Sequence, residues 1–271
     1  MITVTSAQLD VWIAALLWPL TRVLGLIASA PVLGHPSIPK RQKIALGLAI
    51  TMILAPLLPP SPAISPFSWS GVLILADQFL IGLAMGFAMR VVFAAVELAG
   101  ELTALTMGLT FATLFDPQSQ GQSSVISQFL VVLGMLSFLA LDGHLLLLSA
   151  LAESFRTLPI ASSSLDGAGF RQIAEWGSTV FAAGVQLSLP MLAALLVASA
   201  ALGVLTRAAP QLNIFGVGFP ITIGIGLLVI GLALPHMTIP LGRLFEQGIQ
   251  MIDQLATPQR PESLSIPSEH F

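Results

Sequence analysis

Six long apolar stretches dominate this sequence and constrain what it can fold into. They cover residues 9–33, 44–58, 71–96, 125–148, 173–205 and 214–234. Most of them run for more than a helical turn without a charge, and strict alternation of apolar and polar residues is missing. A bilayer core accepts only helices or closed barrels, because every backbone polar group must be paired internally. The pattern therefore predicts an all-α, polytopic membrane protein with about six long apolar segments.

The composition supports a membrane environment and excludes several other classes of protein. Hydrophobic residues make up 55% of the chain and charged residues 8%, whereas soluble domains carry about 25% charged residues. The mean hydropathy is +0.93, so lipid or a large assembly must cover apolar surface that a soluble core could not shelter. A net charge of −3 gives no basis for nucleic-acid binding, and the absence of cysteine excludes disulfides and thiolate metal sites.

The loop charges do not decide how the chain crosses the membrane. If the N-terminus lies outside and all six stretches cross, the cytoplasmic loops hold Lys40, Arg41, Lys43 and Arg207. The opposite side then holds Arg156, Arg171, Arg243 and Arg260. Because positive charge normally concentrates on the cytoplasmic side, this tie indicates that some stretches do not cross or that neighbouring subunits fix the arrangement.

Ionisable residues lie within or close to the apolar stretches, where lipid disfavours them. They are Arg22, Asp77, Arg90, Glu97, Glu101, Asp142 and His144. Each charge at the centre of a lipid-facing helix would cost about 2.5–3.5 kcal/mol, so we expect these side chains to face protein or water. Arg90, Glu97 and Glu101 share one helix face, which favours either an internal salt bridge or a polar seam towards partner subunits or a pore. A proton relay is a third reading, although Asp142 and His144, two residues apart, cannot face each other on a helix.

Prolines and small residues recur inside the apolar stretches. Pro19, Pro190 and Pro220 each remove a backbone hydrogen bond, which membranes tolerate only where the helix faces protein or water. Close helix approach is predicted from the small-residue pairs at positions 82 and 86, 25 and 29, and 199 and 203. Together these features are typical of a tightly packed helical assembly.

The sequence contains little that suggests catalysis. It has no HExxH or phosphate-binding loop motif and no paired metal ligands, so we predict no catalytic residue, metal or cofactor. The GQSS sequence at 121–124 could be read as a protease element with His144 or His236 as base, but a Gly/Ser loop is the simpler reading. A secondary transporter is a stronger alternative, because it would also have broken helices and internal charges.

Short motifs across nearly the whole chain occur in the order found in one family. They include WPLTRVL (18–24), SIPKR (37–41), GLAMGF (82–87), MGLTFAT (107–113), FRTLP (155–159) and RAAPQLNIF (207–215). The chain resembles the FliR/SctT/SpaR family, the FliR members of which are membrane subunits of the flagellar type III export gate. The homologous subunit of a virulence injectisome is the nearest alternative.

The resemblance implies a function and a set of partners. It implies a non-enzymatic subunit, without cofactor, that joins FliP and FliQ in a helical hetero-oligomer of bent hairpins and is contacted by FlhB. That assembly would lie in the bacterial inner membrane at the flagellar basal body and export unfolded flagellar proteins. It also implies a FliP-like part at 1–170 and a FliQ-like hairpin at 171–256, followed by a tail at 257–271 whose composition predicts disorder.

Two loops are expected to carry the functional residues. The family's pore plug would correspond to residues 107–123, with the candidates Met107, Phe111, Phe115, Asp116 and Pro117. Large apolar side chains can seal a channel by packing or dewetting, although two Phe residues four apart could equally pack one helix face. A second loop would contact partner subunits through Arg207, Pro210, Gln211 and Asn213.

Overall fold

The computed structural model describes residues 6–59, 62, 64–109, 123–161, 167–208 and 218–256. These residues form eight α-helices and no strand, which confirms the all-α prediction. The helices are α1 (Ser6–Ser29), α2 (Lys40–Leu54), α3 (Trp69–Thr106), α4 (Val125–Ala140), α5 (Gly143–Thr157), α6 (Gly167–Trp176), α7 (Thr179–Ala208) and α8 (Phe219–Ala256). A short 3-10 turn, Ala55–Leu57, follows α2.

Within the described ranges, four helical regions are long and apolar enough to cross a membrane. They are Trp12–Ser29, Trp69–Thr106, Gly167–Ala208 and Pro220–Ala256. A fifth candidate is the pair α4 and α5, which is bent by 66° at the break between the two helices. α2 has 15 residues, fewer than the roughly 20 that a simple crossing needs, as its sequence indicated. The chain is therefore a multi-pass membrane protein.

Three of the apolar stretches differ from the helices that form. The stretch 173–205 is divided at Gly177 and Ser178, between α6 and α7. The apolar stretch 125–148 is not one helix, because Asp142 adopts a left-handed conformation with φ 55° between α4 and α5. Aspartate tolerates this conformation better than most residues. In contrast, α8 does not end near residue 234 but continues through Pro235 and Pro240 to Ala256. Each proline removes one hydrogen bond, yet neither ends this helix.

α3 is the central element of the described structure. Its 38 residues extend about 57 Å, far more than the hydrocarbon core of a bilayer, so at least one end projects from it. α1, α4, α7 and α8 all pack against α3. Half of its residues, 19 of 38, are buried within the chain, which makes α3 the scaffold that positions the remaining helices.

Small residues allow α1 and α3 to approach closely. A Cβ atom added at Gly25 would lie 2.5 Å from the Phe79 carbonyl oxygen, and one at Gly86 would lie 2.7 Å from that of Leu26. Ser29 Oγ donates a hydrogen bond to the Leu83 carbonyl across the crossing, at 3.1 Å. The predicted close helix approach at these small residues is confirmed, and the structure identifies α1 and α3 as the helices that meet. By contrast, a Cβ at Gly203 would meet no described atom within 4 Å.

Aromatic packing holds α8 against the middle of the molecule. The rings of Phe93 in α3, Phe138 in α4 and Phe245 in α8 lie with centroids 5.2–5.8 Å apart. Trp176, the last residue of α6, donates from its indole nitrogen to the Ala88 carbonyl in α3 at 3.0 Å. These contacts tie the C-terminal helices to α3, and each aromatic pair contributes about 0.5–1.5 kcal/mol beyond area burial.

Candidate functional site

Arg22 is a fully buried cation within α1, at the meeting point of three helices. Its Nε donates to Gln78 Oε1 in α3 at 2.8 Å. Its Nη1 donates to the Ser154 carbonyl at 2.8 Å and to Ser154 Oγ at 3.1 Å, and Nη2 donates to the Leu158 carbonyl at 2.9 Å. The guanidinium also lies 4.2 Å from the centre of the Phe155 ring. In this structure Arg22 therefore contacts protein on all sides.

Uncharged hydrogen-bond acceptors, rather than a carboxylate, surround the Arg22 guanidinium. No carboxylate among the described residues forms an ion pair with it. Ser154 and Leu158 lie at the C-terminal end of α5, where unpaired carbonyls carry the negative end of the helix dipole. A guanidinium with five donors in a fixed fork suits such a set of carbonyls, and the Phe155 ring adds a cation–π contact. The arrangement fixes α1, α3 and α5 relative to one another.

The partners of Arg22 were not predicted from the sequence. Gln78 follows the noted Asp77 directly, and Phe155 and Leu158 belong to the FRTLP motif, but nothing in their spacing pointed to Arg22. An uncharged Gln in the middle of an apolar helix was the available signal, because a buried amide requires partners. Gln78 Nε2 has no hydrogen-bond partner among the described residues.

Glu97 and Glu101 form a polar anchor at the start of α4. The Glu101 carboxylate accepts a hydrogen bond from the Ser124 backbone N–H at 2.6 Å, and the Glu97 carboxylate accepts one from Ser123 Oγ. Ser124 is also the N-cap of α4, with its Oγ accepting from the Ser127 N–H at 3.1 Å. Carboxylates are favourable near helix N-termini, because the exposed N–H groups carry partial positive charge.

The predicted internal salt bridge is not formed. Arg90 is exposed and has no ion-pair partner among the described residues, since both glutamates bind the start of α4 instead. Asp77 is partly buried and likewise has no hydrogen bond or ion pair within the described ranges. These two charges therefore remain available for groups outside the described part of the chain.

Asp142 and His144 lie at the bend between α4 and α5, not in mid-helix. Asp142 is exposed, and its backbone carbonyl accepts from the N–H groups of Leu145 and Leu146. His144 is partly buried, and its Nδ1 finds no partner among the described residues. The structure thus places both residues in a turn that starts α5 and does not bring them together as a relay.

Met107 is buried at the end of α3 against α8. A Cβ atom at Gly226 would lie 2.5–2.6 Å from the Met107 side chain, and Thr222 Oγ1 donates to the Met107 carbonyl at 3.1 Å. Of the predicted plug, the structure thus describes Met107, which packs within the chain. Phe111, Phe115, Asp116 and Pro117 lie outside the described residues. The sequence does not indicate that Thr222 and Gly226 contact Met107, because both belong to a helix that is distant along the chain.

The second predicted loop is described at one end. Arg207 lies exposed in the last turn of α7 and makes no ion pair within the described ranges. Pro210, Gln211 and Asn213 lie outside the described residues. No group of three or more metal-ligating side chains occurs in the part of the chain that the structure describes.

The α7 and α8 helices present a large uncovered apolar surface. In an apolar 18-residue stretch of each candidate span, the buried share of residues is 11% for the span that contains α7 and 17% for α8, against 67% for α3. Exposed side chains include Leu196, Val197, Leu228 and Leu232. Soluble proteins rarely expose apolar patches of this extent, so lipid or other helices must cover this surface.

Comparisons with known proteins agree over almost the entire chain. The family described as "Bacterial export proteins, family 1" matches residues 13–248. A flagellar biosynthetic protein FliR from Pectobacterium carotovorum is 42% identical over 257 residues, which cover 95% of this chain and 98% of the relative. The FliR of Escherichia coli K12 is 43% identical over 235 residues, 87% of this chain and 90% of its own length. A more distant FliR, from Aquifex aeolicus, is 29% identical over 250 residues (92% and 95%).

Proposed function

Because the chain belongs to family 1 of the bacterial export proteins, we propose that it is a non-enzymatic subunit of the flagellar type III export gate. With FliP and FliQ it forms the channel core through which unfolded flagellar proteins leave the cytoplasm, and FlhB contacts this core. The assembly lies in the bacterial inner membrane at the flagellar basal body. The observation that carries the proposal is the match, at 42–43% identity over most of the chain, to relatives named FliR.

The uncovered hairpin of α7 and α8 supports a role as a subunit. Its apolar surface is buried far less than that of α3, so partner helices can pack against it without displacing contacts within the chain. The exposed Arg90 and Arg207 and the partly buried Asp77 have no ionic partner among the described residues. In the proposed assembly these three side chains form polar contacts with neighbouring subunits. Pro210, Gln211 and Asn213 extend the contacts of Arg207.

Residues 107–123 close the channel at rest in this proposal. The two described flanks of this segment are held by hydrogen bonds, from Thr222 to Met107 and from Ser124 to Glu101. A closure that depends on apolar side chains needs fixed ends, because dewetting requires a narrow and persistent constriction. Phe111 and Phe115 supply the bulk, and the Asp116-Pro117 sequence predicts the end of a helix after them.

Ion conductance tests the closure separately from assembly. Replacing Phe111 and Phe115 with Ala should make the assembled channel leak ions in planar bilayers, because the constriction would admit water. Leu105→Ala, a change in an exposed side chain of α3 outside the segment, is the control and should leave the closed state intact. Unchanged conductance in the double Phe variant would show that these two side chains do not close the channel.

Complementation tests the proposed export role. In a strain that lacks its own FliR, the chain should restore swimming and the release of flagellar proteins into the medium. The flagellar names of the relatives favour this outcome over an injectisome role. Failure in the flagellar strain combined with rescue of injectisome secretion would contradict the proposal. Solute binding by the purified chain alone would instead favour a secondary transporter.

A further inference from the structure

A cleft of about 550 Å³ lies between α7 and α8. Four polar side chains line it, Gln186 from α7 and His236, Arg243 and Gln247 from α8. Its other walls are largely apolar and include Leu187, Met237 and Leu244. The volume falls in the range of pockets that hold small molecules, and the mixture of apolar walls with a few polar groups is typical of ligand sites.

The four polar side chains of the cleft have no partners within the described ranges. None of them forms a hydrogen bond or ion pair with another described residue. A cationic guanidinium, an imidazole and two amides together offer many donors, and no carboxylate lines the cleft. Such a set is complementary to an anion with several acceptor oxygens, and a phosphate is the group that Arg recognises best.

Two prolines leave backbone carbonyls without their helical N–H donors in the same cleft. Pro190 and Pro240 line it, and neither has an N–H group to donate to the carbonyl four residues earlier. Those carbonyls belong to Gln186 and His236, which also line the cleft. Freed carbonyls at membrane depth need donors from protein, water or a ligand. The hydroxyl groups of a glycerol head group would supply such donors beside a phosphate.

The cleft lies where the apolar part of α8 ends. Residues 219–241 contain no Asp, Glu, Lys or Arg, and this length of helix extends about 34 Å, close to the thickness of the hydrocarbon core. Arg243 is the first charged residue after it. Gln172 before α7 and Gln254 in the last turn of α8 are hydrogen-bonded at 3.0 Å, which places the start of α7 beside this end of α8. Arg243 therefore lies at the level of lipid head groups.

We propose that the cleft between α7 and α8 binds the head group of an anionic phospholipid of the phosphatidylglycerol type. Arg243 and His236 face the phosphate, and Gln186 and Gln247 hydrogen-bond to the head group. The acyl chains contact the apolar walls of the cleft, which include Leu187, Met237 and Leu244. This site is additional to the export role and does not depend on it.

Native mass spectrometry of the full-length, delipidated chain in detergent measures this binding directly. We expect phosphatidylglycerol to bind about tenfold more tightly than phosphatidylcholine, which carries the phosphate without hydroxyl donors. Arg243→Gln should weaken phosphatidylglycerol binding about tenfold, the usual loss when a hydrogen bond to a charged group is removed, and Arg243→Lys should retain part of the affinity. Arg207→Gln, which removes an exposed cation from the opposite end of α7, should have no effect.

Several results would overturn the lipid site. Equal binding of the two phospholipids, or wild-type binding by Arg243→Gln, would show that the cleft does not recognise the head group. Equal affinity for free glycerol phosphate would assign the site to a soluble anion rather than to lipid. Loss of bound lipid when FliP and FliQ are co-purified with the chain would indicate that a partner's acidic side chain occupies the cleft. Circular dichroism of each variant confirms that it is folded.

Discussion

Replacement of Arg22 by Met is expected to destabilise the chain more than almost any other single change in α1. Met fills much of the same volume but removes the donors to Gln78 Oε1, to Ser154 and to the Leu158 carbonyl. An apolar replacement of a buried charge can be neutral when its partner is replaced as well. Here two of the acceptors are backbone carbonyls, which no substitution removes.

The size of the effect follows from the acceptors left behind. Each buried acceptor without a donor costs about 1–3 kcal/mol, and two such groups remain in Arg22→Met, namely Gln78 Oε1 and the Leu158 carbonyl. The Ser154 carbonyl still accepts from the Leu158 N–H. Met also removes the cost of burying a charged guanidinium away from water, which offsets part of this sum. We therefore expect a net loss of about 2–4 kcal/mol in the free energy of unfolding.

Denaturation in mixed micelles, followed by circular dichroism, measures this loss. Thr21→Val is the matched control, because Thr21 neighbours Arg22 but its hydroxyl donates only to the Leu17 carbonyl of its own helix. That variant should lose less than about 1 kcal/mol. A double-mutant cycle with Gln78→Leu should show coupling of about 1–2 kcal/mol, since the two side chains are directly bonded. If Arg22→Met unfolds within 1 kcal/mol of the wild type, the carbonyls do not depend on Arg22 and the reasoning fails.

Three further predictions concern helix contacts. Gly86→Val should lower the free energy of unfolding by at least about 2 kcal/mol, because the new side chain would meet the backbone of α1. Gly203→Val should change this free energy by less than about 0.5 kcal/mol. Equal effects of the two substitutions would contradict the close crossing of α1 and α3. Glu101→Gln should weaken the hydrogen bond to the Ser124 N–H and raise amide exchange in the first turn of α4, measured by mass spectrometry, with unchanged exchange as the contrary result. Met107→Ala should cost about 2–4 kcal/mol in unfolding free energy, because it leaves a cavity beside α8, and a cost below 1 kcal/mol would show that α8 does not rest on it.

Local patterns allowed part of this architecture to be predicted. The length of the apolar stretches predicted the all-α fold, and the small residues at positions 25, 29, 82 and 86 predicted close helix approach, although not that α1 and α3 are the helices that meet. Those features depend on helical periodicity and on side-chain volume, both of which are visible in sequence. The cost of a charge in lipid likewise predicted that Arg22 faces protein, although not what it contacts.

The remaining features depend on tertiary contacts that sequence spacing does not contain. Arg22 finds its acceptors 56, 132 and 136 residues away, and two of them are backbone carbonyls, which are the same for every residue type. Glu101 binds a backbone N–H of α4 instead of Arg90, since the chain reverses direction there. α8 passes two prolines because α3, α4 and α7 support it, which a single-segment argument cannot anticipate.

Cysteine labelling measures whether other subunits cover the hairpin of α7 and α8. The chain has no native cysteine, so Val197→Cys and Leu228→Cys variants report on those two exposed positions alone. We predict that co-expression with FliP and FliQ yields one stable complex in which maleimide labelling falls at least about tenfold relative to the chain alone. A chain that purifies alone after co-expression, with labelling unchanged at both positions, would contradict its assignment as an export-gate subunit.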